Sequence, residues 1–137
     1  MSLHRNTDLG TIKISDVLFA QIIVNSLKQR ECLGKAWPAS SKGKQIGNDQ
    51  KFNVTDVASH IVVKHDREST DVELEFNIIV QFGNSISAIT EAVFQYVADS
   101  IEQVLGKKPV RIIINVTGIR SKQIARRNIE VIKQYEC

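Results

Sequence analysis

Residues 71–106 read DVELEFNIIVQFGNSISAITEAVFQYVADSIEQVLG, and the repeat of hydrophobicity along them decides which folds the chain can adopt. From Val72 to Phe82 the apolar residues fall at every second position. Val72, Leu74, Phe76, Ile78, Val80 and Phe82 share one face, and Glu73, Glu75, Asn77 and Gln81 share the other. A period of two over that length predicts a long strand with one face in the core and one polar face. Past Gly83 the period changes. Ile89, Val93, Tyr96, Val97, Ile101 and Val104 recur at helical spacing, which predicts a helix over Ser87–Leu105 closed by Gly106 as C-cap. Ser85 or Ser87 is placed to accept free amides at the helix start.

Working outward, PVRIIINVTGI alternates again, with Val110, Ile112, Ile114 and Val116 inward. Upstream, LGTIKI reads as a short strand, and Ser15 suits the N-cap of a helix through DVLFAQIIVNSLKQR with a broad apolar stripe. Gly34 to Asn53 is rich in Gly, Ser, Lys and Asn and reads as a long exposed loop holding Trp37. Val57 to His65 reads as a strand joined by a charged turn to the strand from Val72. The last segment, SKQIARRNIEVIKQYEC, places Ile124, Ile129, Ile132 and Tyr135 at spacings that suggest a third helix.

The expected order is therefore β-α-β-β-α-β with an added C-terminal helix. The fold class is α+β: a two-layer sandwich in which both helices cover one sheet face. A split β-α-β sheet of ferredoxin-like type is the first expectation, and a K-homology-like arrangement is the alternative. A chain of 137 residues fits one domain. Residues 1–8 read as a disordered or expression-derived tail, 9–119 as the α+β domain with loop 34–53, and 120–137 as the basic C-terminal helix.

Composition narrows the function classes. The densest apolar run, Val17–Val24, is too short to span a bilayer, and MSLHRNTDLG lacks the apolar core of a secretory signal, so a cytoplasmic protein is expected. Cys32 and Cys137 match no ligand spacing and read as free thiols. His60 and His65, five apart in a strand, would face opposite ways, and Asp66, Glu68 and Asp71 lack the glycine and ligand order of a calcium loop. No GxSxG, GxxxxGK[ST] or GxGxxG occurs, so no catalytic residue, cofactor or metal is expected.

Two features carry more chemistry. Gly106 to Cys137 holds 8 basic residues against 2 acidic ones, and Arg111, Arg120, Lys122, Arg126 and Arg127 form a candidate interaction set with Glu73 and Glu75 on the acidic strand. Such a basic helix suits phosphates, which makes a small nucleic-acid-binding module the alternative function. The stacking aromatics of an RNA-recognition sheet and the GxxG loop of a K-homology domain are absent, however. The turn at Gly83, Asn84 and Ser85 opens a helix, where free amides offer a candidate anion site, but no Lys or Arg lies within it.

The ordered blocks LGTIKISDVLFAQII, DVELEFNIIVQFGNSISAITEAVFQYVADSIEQVLG and KPVRIIINVTGI together resemble the alkaline shock proteins, small envelope-stress proteins of Gram-positive bacteria. The likeness departs at RECLGKAWPASSKGKQIGN, where the family has a valine- and glycine-rich segment, and at the basic terminal segment. The resemblance implies a non-enzymatic, self-associating (homo-oligomeric) protein-interaction domain in cell-envelope homeostasis or stress response. It also implies partners such as a membrane-anchor protein, which would hold the chain peripherally at the membrane, or an acetyl-CoA carboxylase component of fatty-acid synthesis. No catalytic residues come with it.

Overall fold

The computed structural model describes residues 2–7, 10–47, 52–65, 71–121 and 124–135, and the side chains of these except at 2–7, 10–15, 65 and 124–128. In chain order the elements are β1 (Ser2–Thr7), β2 (Gly10–Ser15), α1 (Asp16–Leu27), β3 (Ala36–Ala39), α2 (Val54–Ala58), β4 (Val62–His65), β5 (Val72–Gln81), α3 (Ile86–Leu105), β6 (Arg111–Arg120) and β7 (Ile124–Gln134).

The strand that decides the fold is central. β5 pairs in parallel with β6 along nearly its whole length, from Glu73 opposite Arg111 to Gln81 opposite Arg120. Parallel neighbours need a crossover, and α3 supplies it. That helix starts where Ser85 Oγ accepts the Ala88 amide and ends at Gly106, whose φ of 82° suits a residue without a Cβ. The other flank of β5 is shared: β4 pairs antiparallel with its first half, Val62 opposite Glu75, and β3 with its second half, Trp37 opposite Ile79. β7 closes the far side, antiparallel to β6, to give a five-stranded mixed sheet.

The inward residues of β5 and β6 form one core with both long helices: Leu74, Phe76, Ile78, Ile112 and Ile114 meet Phe19, Ile23 and Leu27 of α1 and Val93, Val97 and Ile101 of α3. Burial of this kind is the main stabilising term, roughly 1.5–3 kcal/mol per large side chain. Among the described residues, the buried hydroxyls of Ser26 and Thr90 bond within their own helices, Ser26 Oγ to Ile23 O at 2.6 Å and Thr90 Oγ1 to Ile86 O at 2.9 Å. The α+β class and the two-layer layout with helices over one face therefore hold.

Five expectations are corrected. The C-terminal segment is a strand, β7, and not a helix, because its alternate residues Ile129, Val131 and Lys133 fall opposite Val116, Ile114 and Ile112. The pairing opportunity offered by β6 outweighs a loose helical spacing. Loop 34–53 contains β3 and leads to α2, whose Asn53 cap accepts from Thr55 N and Asp56 N; Trp37 is only 3% exposed. β4 starts at Val62, so His60 precedes the strand. β2 joins the separate β1–β2 hairpin and not the main sheet, which departs from a ferredoxin-like sheet and gives residues 2–7 a strand partner. Finally, Phe82 leaves the apolar face and is 70% exposed, since β5 ends at Gln81 and Gly83 turns the chain with φ 90°.

Candidate functional site

With both long helices on one side, the polar positions of β5 and β6 line the other face of the sheet. Register places Glu73 beside Arg111 and Asn77 beside Asn115. Arg111 Nη2 donates to Glu73 Oε2 at 2.7 Å, and Asn115 Nδ2 donates both to Glu75 Oε2 at 2.8 Å and to Asn77 Oδ1 at 3.1 Å. At the entry to β5, Lys107 Nζ pairs with Asp71. The charged groups at this end are thus held in fixed orientation at half-buried positions, where a second protein can meet them without first ordering them.

The far end of the face is roofed by the chain leaving β3. Ala39 bridges Gln45, Ser40 N donates to Lys44 O at 2.7 Å, and Ser40 Oγ accepts from Lys42 N and Lys44 N. Gly43, at φ 81°, brings its backbone against Thr117: a Cβ there would stand 3.5 Å from the threonine Cβ. Asn77 Nδ2 donates to Ser40 O at 3.3 Å, tying roof to sheet. Trp37 and Ile79 are opposite one another, and the Arg120 guanidinium lies 4.5 Å from the centre of the indole.

Between roof and strands is an open cavity of about 260 Å³ lined by Ser41, His60, Val62, Glu75, Phe76, Asn77 and Asn115. His60 Nδ1 lies 3.2 Å from both the Ser41 amide and Ser41 Oγ. Accepting the amide requires an unprotonated Nδ1, so the neutral ring carries its proton on Nε2. The single Nδ1 lone pair is shared by the main-chain amide and the hydroxyl, and the amide contact positions the ring. Sequence reading sets His60 aside; only the folding of β3 and α2 brings it to Ser41.

The basic candidates do not gather into one stripe among the described residues. Arg111 pairs with Glu73, Arg120 covers Trp37, Lys108 lies 5.8 Å from the Tyr135 ring, and Lys133 reaches Glu91 of α3 at 3.8 Å. Lys122 lies outside the described residues, and Arg126 and Arg127 are placed on β7 by backbone only. At the turn before α3, Asn84 N and Nδ2 both donate to Gln81 O, at 3.3 and 3.2 Å, and Ser85 Oγ is taken by the Ala88 amide. These groups cap the helix and fasten the turn. Cys32 is buried and its thiol is pushed up to about 11, by burial first and by Glu31 second, which makes it a poor nucleophile.

Compared with known families, residues 4–121 match the alkaline shock protein 23 family, described by a cell envelope-related function. The chain belongs to the alkaline shock protein family. The matched region takes in both helices of the core, the central β5–β6 pair and the polar face, and it ends before β7 begins at Ile124. Neither a curated protein nor a solved structure matches the chain. None of the described helices is long and apolar enough to cross a bilayer.

Proposed function

We propose that this protein is a non-catalytic, self-associating interaction domain that serves cell-envelope homeostasis or stress response by docking partner proteins on the polar face of its sheet. The observation that carries the reading is the arrangement of Glu73, Arg111, Glu75 and Asn115: a ladder of two carboxylates, one guanidinium and one amide, hydrogen-bonded in place, on the face without helices in a family of envelope-related function. Pre-oriented charges favour recognition of a complementary surface more than tight generic binding. The partners that fit are a membrane-anchor protein, which would hold a cytoplasmic chain at the membrane periphery, or an acetyl-CoA carboxylase component of fatty-acid synthesis.

The test is native co-purification of the tagged chain from its own cell, with Glu73→Ala/Arg111→Ala in parallel. An envelope partner recovered with the wild type and lost with the double variant supports the reading. Recovery of nucleic acid or ribosomal components in its place would overturn it. Self-association is read separately by sedimentation across protein and salt concentrations, where a monomer under every condition removes that part.

A further inference from the structure

The sheet has two edges, and they are finished differently. On one side β3 is four residues long, contains Pro38, and is roofed by its own return, with Ile46 N donating to Pro38 O and Ser40 N to Lys44 O. A short strand, a proline and a covering loop are the devices that keep an edge from pairing with another chain. On the other side β7 is eleven residues long, has no Pro or Gly, and bonds only to β6 among the described residues. Ile129 and Ile132 on this strand are 37% and 45% exposed.

Hydrogen-bond alternation fixes which groups this edge offers. Tyr135 N donates to Val110 O on the β6 side. In an antiparallel ladder the residues of like parity, 133, 131 and 129, therefore turn their main-chain groups to β6, and Glu130, Ile132 and Gln134 turn theirs outward. Side chains alternate with the same period, so these three outward-bonding residues share one face. Ile132, opposite Ile113, lies on the polar face of the sheet, and Lys133, opposite Ile112, lies on the helix side, where Glu91 holds it.

We propose that β7 is a self-pairing edge: two copies join by antiparallel pairing of their β7 strands, with Ile132 nearest the two-fold axis, to make one sheet continuous across the dimer. This rests on the self-association reading above and names its interface. In that register Ile132 meets its own copy on the polar face, extending the apolar patch begun by the buried Ile113. Glu130 falls opposite Gln134, Val131 opposite Lys133, and Ile129 opposite Tyr135. No like charges oppose one another, and Glu130, Ile132 and Gln134 of both copies exchange about six main-chain hydrogen bonds. Centring the pair on Glu130 would set Glu130 against Glu130 and Lys133 against Arg127, which disfavours that register. A two-fold axis also closes the assembly, so dimers result in place of fibres. β7, Ile124–Gln134, lies beyond the matched residues 4–121.

The full chain is tested by sedimentation equilibrium over a concentration series, with Ile132→Lys as the variant and far-UV circular dichroism and thermal melting to confirm that it folds. The expected result is a wild-type dimer whose dissociation constant rises at least about tenfold in the variant. Independently, Ile132→Cys in a Cys137→Ser background should form a disulfide-linked dimer on mild oxidation, because facing residues in such a pair approach within disulfide reach. Val62→Cys on the other edge should not. A dimer that survives Ile132→Lys and fails to cross-link at 132 overturns the edge while leaving self-association standing. A wild type that is monomeric throughout overturns both.

Discussion

Phe82→Ala and Phe76→Ala separate the structure from a naive extension of its sequence pattern. Both phenylalanines continue the same alternation, and a strand running to Phe82 would bury them equally. In the structure Phe76 is 2% exposed in the middle of β5 and Phe82 is 70% exposed beyond its end. Truncating Phe76 removes a ring packed on all sides and is expected to cost about 3–5 kcal/mol. At roughly 3–4 °C per kcal/mol for a chain of this size, that lowers the melting temperature by about 9–20 °C. Phe82→Ala removes a ring that water already reaches, and its main-chain bond from Phe82 N to Arg120 O at 2.7 Å survives the change. Its effect should stay within about 0.5 kcal/mol, or about 2 °C. Urea unfolding followed by circular dichroism, fitted with a common slope, reads both values. A loss above about 2 kcal/mol for Phe82→Ala would refute the reasoning, since it would require Phe82 to be packed in the core.

Other outcomes follow from single contacts. Ser85→Ala should destabilise by about 1 kcal/mol in chemical unfolding, and Ser85→Asp should be close to neutral, because either cap oxygen accepts the Ala88 amide. Gly83→Ala should cost about 1 kcal/mol from backbone strain alone, as a Cβ there meets nothing within 4 Å. A double-mutant cycle on Glu73 and Arg111 should return a coupling of about 0.2–1 kcal/mol, screened by salt, because both side chains are partly solvated. For Cys32 the folded value, about 11, lies above its ordinary 9.0. Its contribution is therefore complete below pH 9 and is lost as pH rises toward 11, where the unfolded chain releases a proton that the folded chain retains. The wild type should lose more stability between those pH values than Cys32→Ala, measured by urea midpoints; equal losses would contradict the assignment.

The elements that were legible are those whose period is long and uninterrupted. β5, α3, β6 and α1 each repeat their apolar residues over two or more turns or pleats, so local pattern and tertiary burial agree. β7 misleads because Ile129, Ile132 and Tyr135 sit three apart, as on a helix, while the strand reading needs Ile129, Val131, Lys133 and Tyr135 to share a face. A lysine in that row conceals the alternation, and only Glu91 on α3 explains it. The available signal was the β-branched content of the segment. β3 is hidden for a different reason: four residues with a proline make no period, and its burial is conferred by β5. Of the candidate site, Glu73, Glu75 and Arg111 were readable as outward positions, but the Ser41–His60 pair joins segments whose meeting depends on the β3 roof and α2, neither of which is a local pattern.

The placement of Trp37 bears on how this chain can be watched as it folds. β5, α3 and β6 are consecutive and can assemble with short loop closures, while β3 reaches β5 only after the whole segment between Ala39 and Val72 has been looped out. The only tryptophan of the chain sits on that late strand, under Arg120 from the end of β6. Its fluorescence is accordingly a clock for the last docking step, and refolding followed by indole emission should lag refolding followed by backbone dichroism. A fluorophore that reports completion and not initiation makes this protein a convenient subject for separating sheet nucleation from edge closure.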